Sequence, residues 1–153
     1  MKSSSRLLLA FGVAIGVLVI VAVVLVLAIP RGGGPLLPED TPEGTVQRYL
    51  LALEAEDYLK AYSYLSPAPR EKIPYEPWRE PLVTFGERPG WKATLGESVV
   101  RGDEATVKVK VDVFRPSGPF GNPVRTHDIA FFLKKEGAHW RITSPVDVRW
   151  ILY

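Results

Sequence analysis

An uninterrupted apolar run near the start of the chain is its strongest hydrophobic pattern. The 23 residues from Leu7 to Ile29 include no charged residue, no amide and no proline. A helix rises about 1.5 Å per residue, so this run would span roughly 34 Å, enough to cross the hydrocarbon core of a bilayer. The pattern therefore predicts a transmembrane helix over residues 7–29.

The flanks of this run predict a retained anchor and its orientation. A secretory signal has an apolar core of about 7–15 residues followed by small residues at a cleavage site. This run is longer and ends with the bulky Leu27 and Ile29, which leaves cleavage as the less favoured alternative. Lys2 and Arg6 precede the run, and positively charged flanks stay in the cytoplasm. We therefore expect residues 1–6 to be a cytoplasmic stub and the C-terminal part to be extracytoplasmic.

Helical periodicity returns after a short spacer. Residues 30–40 contain three glycines and three prolines, a composition typical of a linker. Thr41 is suited to cap the helix that follows, and Asp57 to cap a second helix that ends near Leu65. Apolar residues at positions i, i+3, i+4 and i+7 form the two stripes, namely Val46, Tyr49, Leu50 and Leu53, then Tyr58, Ala61, Tyr62 and Leu65. The sequence predicts a helical hairpin.

Residues 66–90 give a weaker signal. Six prolines interrupt this segment, yet apolar residues such as Trp78 and Leu82 argue against a free linker. We expect a short helix or turn around Pro77 to Phe85 that packs on the rest of the domain.

Alternation with a period of two predicts four strands in the remainder. The valines at 107, 109, 111 and 113 alternate with charged residues, as in a strand that is buried on one face. The strands are expected at 91–100, 105–114, 124–134 and 139–143, with turns at 101–104 and 135–138, a loop at 116–123 and a tail from 145. Two helices followed by an antiparallel meander indicate an α+β domain over residues 41–153.

Composition and charge exclude several functions. Lys2 and Arg6 account for the formal net charge of +2, so the predicted domain lacks the basic excess that nucleic-acid binding needs. The chain has no cysteine and two histidines, which gives a zinc site no support; we expect no metal and no cofactor. Common hydrolase motifs are also absent. The chain has one asparagine, one glutamine and 14 prolines. This composition is consistent with either a thermophilic source or GC-rich coding.

Two stretches resemble one known family. Residues 41–66 are similar to the opening helical hairpin of nuclear-transport-factor-2-like domains, with an acidic turn, an aromatic residue, Lys60-Ala61 and a Leu65-Ser66 stop. Residues 131–144 are similar to the closing β-hairpin, where a turn precedes Trp-x-Ile. The resemblance implies a cystatin-like α+β cone, in which a curved sheet wraps the helices and often leaves a pocket. Membrane-anchored members include bacterial proteins and scaffold components of secretion machinery.

The resemblance also suggests where catalytic chemistry would lie. Enzymes of this family place Asp, His or Tyr inside the cone, and His127 shares strand parity with Ile129 and Phe131, so it would face the interior. If His127 lies near Tyr62 or Asp112, its neutral imidazole can act as a general base. A hydrogen-bonded histidine at the start of a strand is the simpler interpretation, and Asp112 is expected in solvent because its parity is opposite to that of the valines.

Four residues are candidates for ligand binding: Tyr58, Tyr62, Trp78 and His127. Tyrosine hydroxyls can donate a hydrogen bond to a ligand carbonyl. Tyrosines on the apolar face of a helix, however, more often pack in the core with the hydroxyl exposed to solvent.

The expected function is that of a non-catalytic, single-pass membrane protein with an extracytoplasmic binding or scaffold domain. Residues 7–29 would contact the lipid bilayer, and the domain would bind a partner through its pocket or pair with a protein partner or a second copy through the sheet. The sheet face that carries Lys108 and Lys110 would meet an acidic partner or lipid headgroups, although a solvated face is the simpler interpretation. A tether over residues 30–40 reaches at most about 40 Å, so the partner should lie near the outer face of the membrane. Two alternatives stay open: a lyase or isomerase that uses a pocket histidine and tyrosine, and an assembly component of a secretion machine.

Overall fold

The structure, a computed structural model, describes Ile15, Val19 and residues 35–84, 89–115 and 123–149. The chain divides into two compact units, Met1–Gly34 and Pro35–Tyr153. In the first unit, Ile15 and Val19 are helical and exposed; the rest of the predicted membrane helix lies outside the described residues. Within the described ranges, no helix combines the length and the apolar character that a membrane span requires.

The second unit begins with the predicted helical hairpin, which is confirmed. Helix α1 covers Pro42–Glu54, and the Thr41 hydroxyl oxygen accepts a hydrogen bond from the Gly44 amide at 3.0 Å. Helix α2 covers Tyr58–Ser63, and Asp57 Oδ1 accepts from the Lys60 amide at 3.2 Å. These caps satisfy amide groups that have no partner within a helix, which explains why the helices begin at these residues.

The end of the predicted linker contacts α1. Gln47 Oε1 accepts from the Leu37 amide at 2.7 Å, and Arg48 Nη1 donates to the Leu37 carbonyl at 2.9 Å. Gly44 belongs to this contact, because a Cβ there would lie 1.9 Å from the Pro38 carbonyl oxygen. Residues 35–40 therefore form a docked segment without helix or strand.

The proline-rich segment contains more helix than the sequence predicts. Helix α3 covers Pro67–Lys72 and helix α4 covers Tyr75–Thr84. Pro67 is the first residue of α3, where a missing amide hydrogen costs nothing, and Pro77 lies in the first turn of α4. Pro81 lies inside α4 and removes one hydrogen bond of the helix ladder. Proline position, and not proline number, decides the structure of this segment.

The four predicted strands form one antiparallel sheet in the order β1-β2-β3-β4. Their bounds are β1 Gly90–Arg101, β2 Glu104–Phe114, β3 Val124–Glu136 and β4 His139–Ser144. Gly102 and Gly137 have φ of 61° and 62° in the two tight hairpin turns, a conformation that glycine adopts without strain. An irregularity between Leu95 and Ser98 shifts the register of β1 against β2.

The core lies between the valine face of the sheet and the helices. All four alternating valines of β2 are buried, as the sequence predicts. The other large buried side chains are Val46, Tyr49, Leu50, Leu53, Tyr58, Leu65, Trp78, Leu82, Phe131, Leu133, Trp140, Ile142 and Val148. Leu65 also pairs with Ile142 alongside β4, which explains why α2 ends at Ser63 and not near Leu65. The α+β class is thus confirmed.

Candidate functional site

An open groove between α2 and α4 is the best candidate for a functional site, and we call it the α2–α4 groove. Its volume is about 480 Å³, within the usual range for ligand sites. It is lined by Glu56, Asp57, Tyr58, Leu59, Tyr75, Arg79 and Val83. Tyr58 is the one lining residue among the four ligand-binding candidates of the sequence.

The two walls follow from local sequence. Glu56 adopts a φ of 60° and lets the chain turn sharply after α1, so that α2 starts at once from the Asp57 cap. On α4, Tyr75, Arg79 and Val83 are spaced by four residues and share one face. The buried Trp78 and Leu82 lie on the core face of α4. Tyr75, Arg79 and Val83 therefore line the groove.

Exposed apolar side chains distinguish this groove from an ordinary surface depression. Leu59 is 66% exposed on the α2 wall, and Val83 is 45% exposed on the α4 wall. Single exposed apolar residues are common on protein surfaces, and here two of them line the same groove. Such side chains gain free energy when a partner covers them.

Two aromatic rings, those of Tyr62 and Trp78, pack against Tyr75 on the α4 wall. The ring centroids of Tyr62 and Tyr75 are 5.3 Å apart with an edge-on arrangement, and those of Tyr62 and Trp78 are also 5.3 Å apart. Trp78 is 3% exposed, and its Nε1 donates to the Val146 carbonyl at 2.8 Å. Packing of this kind fixes the orientation of Tyr75, the ring that lines the groove.

The hydroxyl of Tyr62 is engaged within the protein. It lies 2.9 Å from the Ile73 carbonyl oxygen and 3.2 Å from that of Arg70, and it donates toward both. Donation to these carbonyls holds the α3–α4 connection against α2. Tyr62 and Trp78 therefore act as supports under the groove and do not line it.

The groove is lined by two carboxylates and one guanidinium. Glu56 and Asp57 supply the carboxylates, and Arg79 Nη1 lies 3.5 Å from Oε2 of Glu76 on the same helix. The three charged residues that line the groove have a formal charge of −1. The Arg79–Glu76 pair is exposed and therefore weak.

His127 does not line the α2–α4 groove. It faces the valine side of the sheet, as predicted, because it pairs directly with Val111 across β2 and β3. Its Nε2 is buried and has no hydrogen-bond partner in the part of the chain that the structure describes. Asp112 lies on the other face, where it accepts a hydrogen bond from Thr126 at 2.6 Å. The structure thus brings neither Asp112 nor the Tyr62 hydroxyl, which is bonded elsewhere, to His127.

A second open groove lies on the opposite face of the sheet, with a volume of about 490 Å³. Gly96, Ala130 and the charged residues Glu97, Lys108, Lys110 and Asp128 line it, together with Val109 and Ile129. Lys108 Nζ donates to Glu97 Oε2 at 2.8 Å; this hydrogen bond raises the pKa of Lys108 and lowers that of Glu97. Half of the charge on this surface is therefore already paired within the chain.

A metal site finds no support in residues 35–84, 89–115 and 123–149. No group of three or more His, Cys, Asp or Glu side chains comes together there to hold an ion.

Comparisons with known proteins identify the fold alone. No protein-family model and no curated protein matches this sequence. A SEC-C motif-containing protein from Rhodopseudomonas palustris, known from its solution structure, matches with a TM-score of 0.54 and 14% identity, over 71% of this chain and 79% of that one. TerC, crystallised with polyporic acid, matches with a TM-score of 0.43 and 14% identity, over 65% of this chain and 85% of that one.

These findings correct the family assignment made from the sequence. The resemblance to nuclear-transport-factor-2-like domains is wrong as an assignment, because no family model matches and a similar solved structure is described as a SEC-C motif protein. The matching stretches encode a capped helical hairpin and a tight β-hairpin. Caps, turns and alternating residues specify such local units in many α+β folds, so they do not identify one family.

Proposed function

We propose that this chain is a membrane-anchored binding protein whose second unit holds a partner in the α2–α4 groove without catalysing a reaction. The observation that carries the proposal is the pair of exposed apolar residues, Leu59 and Val83, on the two walls of one groove. Each of these exposed apolar side chains would gain free energy if a partner covered it. The partner class is a protein segment, either of another protein or of a second copy.

The anchoring part of the proposal rests on the sequence. The uncharged run over residues 7–29 has the length of a membrane span, and the positive residues that precede it favour a cytoplasmic N-terminus. In this arrangement the cell membrane holds residues 7–29 and the second unit is extracytoplasmic.

A cysteine-free chain allows a clean test of this topology. Ala68→Cys on the exposed surface of α3 and Ser4→Cys in the N-terminal stub each introduce a single thiol. In intact cells, a membrane-impermeant maleimide should label the first variant and not the second, and alkaline extraction should leave both in the membrane. Labelling of Ser4→Cys alone, or release of the protein by alkali, would contradict the proposed anchoring.

The groove itself is tested by site-specific photocrosslinking. A photoreactive residue at Leu59 should capture a partner in native membranes, while the same residue at Val99, which is 46% exposed on the sheet, serves as the control. Adducts at Val99 and none at Leu59 would move the binding site to the sheet, one of the two surfaces expected from the sequence. An adduct with a second copy at Val99 would identify a homodimer through the sheet.

The enzyme alternative has weaker support. A lyase or isomerase that used His127 and Tyr62 would need both groups at one site, whereas the Tyr62 hydroxyl donates to backbone carbonyls and His127 does not line the groove. An assembly role in a secretion machine would be one instance of the proposed binding function, and the identity of the crosslinked partner would decide it.

A further inference from the structure

We infer that the outer face of the sheet, the face that points away from the helices, contacts an anionic membrane surface through lysine side chains and exposed phenylalanines. This contact rests on the membrane anchoring proposed above and goes beyond the α2–α4 groove. Its occupant is the layer of anionic headgroups of the bilayer that holds residues 7–29.

The register of the strands defines which side chains share this outer face. Thr106 on β2 lies opposite Val99 on β1 and Phe132 on β3, and it alternates with the buried valines of β2. Side chains in register with every second residue of β2 from Thr106 therefore point away from the core. The charged residues on this face are Lys92, Arg101, Lys108, Lys110, Lys134 and Arg141, with Glu97, Glu104, Asp112 and Asp128.

Charge divides the second unit into an acidic layer and a basic layer. Residues 35–84, which include all four helices, contain nine acidic and five basic residues and have a formal charge of −4. The four strands contain eight basic and five acidic residues and have a formal charge of +3. Near an anionic surface, this distribution turns the sheet toward the surface and the helices away from it.

Several lysines of the outer face are not neutralised within the chain. Lys108 lies 2.8 Å from Glu97 and is paired. Among the described residues, Lys92, Lys110 and Lys134 have no carboxylate within 4.0 Å. A lysine near an anionic bilayer strengthens the contact about fivefold, so these three side chains together give the face a clear preference for such a surface.

Exposed apolar side chains on the same face favour a bilayer over a protein. Val99, Phe114 and Phe132 are each between 44% and 49% exposed. Phe114 lies eight residues along β2 from Thr106, about 27 Å at the normal rise of a strand, and charged side chains lie between them. A fluid interface can accept apolar side chains that are this far apart, whereas a protein partner needs a matching rigid surface. Aromatic and apolar side chains beside lysines are typical of proteins that lie on a membrane surface.

The length of the connecting chain permits this contact. Residues 35–40 are docked on α1, so residues 30–34 are the part of the linker that separates them from the apolar run. Five extended residues span at most about 18 Å, which exceeds the roughly 10 Å between packed layers of a domain. The sheet can therefore reach the bilayer while the α2–α4 groove, on the helical layer, stays open to a partner.

The test compares a fluorophore on each layer of the full chain. The chain has no cysteine, so Thr106→Cys, between Val99 and Phe132, and Ala68→Cys on α3 each accept one nitrobenzoxadiazole label. Each labelled chain is reconstituted into vesicles of phosphatidylglycerol and phosphatidylcholine that contain a nitroxide-bearing lipid as quencher. The label at residue 106 should be quenched strongly and the label at residue 68 weakly. In pure phosphatidylcholine or at high salt, the quenching at residue 106 should fall.

Charge-reversal variants isolate the contribution of the lysines. Lys110→Glu combined with Lys134→Glu should shift the equilibrium away from membrane contact at least about tenfold. Lys60→Glu combined with Lys72→Glu makes the same change in net charge at exposed helical positions and should leave the quenching unchanged. Phe132→Ala should weaken the quenching as well, because an exposed apolar contact is lost. Circular dichroism of each variant checks that the fold is unchanged.

Three results would overturn the inference: no quenching at residue 106, equal quenching at residues 106 and 68, or quenching that neither neutral lipid nor reversal of the two lysines reduces. A protein adduct at Val99 in native membranes would identify a protein as the occupant of this face and would also reject the inference. Flotation of the chain with phosphatidylcholine vesicles after alkaline extraction tests the anchor separately. Flotation without quenching at residue 106 would keep the anchor and reject the sheet contact, whereas loss of flotation would reject the anchor and the contact that rests on it.

Discussion

The hydroxyl of Tyr49 should destabilise the domain, and its removal should stabilise it. Tyr49 is fully buried in α1, and its ring packs edge-on against Phe131 with centroids 5.8 Å apart. Its hydroxyl has no hydrogen-bond partner among the described residues. Tyr49→Phe keeps the ring and its packing and removes only the unsatisfied group.

The expected magnitude follows from the cost of a buried polar group without a partner. Mutational data place that cost at about 1–3 kcal/mol for a hydroxyl, so Tyr49→Phe should raise the free energy of unfolding by that amount. For a domain of this size the melting temperature should rise by about 4 °C per kcal/mol. Urea titration of residues 35–153, followed by circular dichroism and tryptophan fluorescence, measures the free energy of unfolding, and a thermal scan measures the melting temperature.

Tyr62→Phe is the matched control, because its hydroxyl donates to backbone carbonyls. The same chemical change should there lower the free energy of unfolding by about 1 kcal/mol. Burial, and secondarily the Asp147 carboxylate, raise the pKa of Tyr49 above its ordinary value. Unmodified protein should therefore lose stability as the pH rises above about 10, and Tyr49→Phe should lose less. Equal destabilisation by both substitutions would refute the reasoning.

Three further predictions concern residues whose contacts within the domain stabilise its fold. Gly44→Ala should destabilise the domain although alanine favours helices, because the new Cβ would collide with the Pro38 carbonyl. Faster proteolysis within residues 35–40 would show that this segment is displaced. An unchanged proteolysis rate would contradict the contact. Trp78→Phe removes the hydrogen bond to the Val146 carbonyl and should cost about 1–3 kcal/mol in urea titration, where no change would contradict its role. A hydrogen bond from Arg149 lowers the pKa of Asp147. This carboxylate therefore stabilises the fold above about pH 4, and its contribution is lost as the pH falls. Asp147→Asn should reduce the loss of unfolding free energy at acidic pH, and an unchanged pH dependence would contradict this.

The sequence predicts those elements whose signals are local. Thr41 and Asp57 cap helices where their side chains predict caps, and the valines of β2 alternate as the strand requires. The hairpin turns follow for the same reason, because Gly102 and Gly137 permit a positive φ. Each of these signals depends on neighbours within a few residues, so no knowledge of the tertiary structure is needed.

The groove is harder to predict because its walls are far apart in sequence. Tyr58 belongs to the predicted hairpin, but its partners Tyr75, Arg79 and Val83 lie in the segment that prolines obscure. Their spacing of four residues is the signal that reveals the second stripe of α4 once Pro77 is placed in the first turn. The role of Tyr62 also depends on tertiary structure, since its carbonyl acceptors lie 8 and 11 residues away.

The most direct test of the central claim is a two-wall crosslinking measurement in native membranes. A photoreactive residue at Leu59 is combined with Val83→Asp on the opposite wall or with Val99→Asp on the sheet, both exposed positions whose change should leave the fold intact. If one partner occupies the α2–α4 groove, Val83→Asp should abolish the Leu59 adduct and Val99→Asp should leave its yield unchanged. An adduct that survives Val83→Asp, or that disappears with Val99→Asp, would contradict the account.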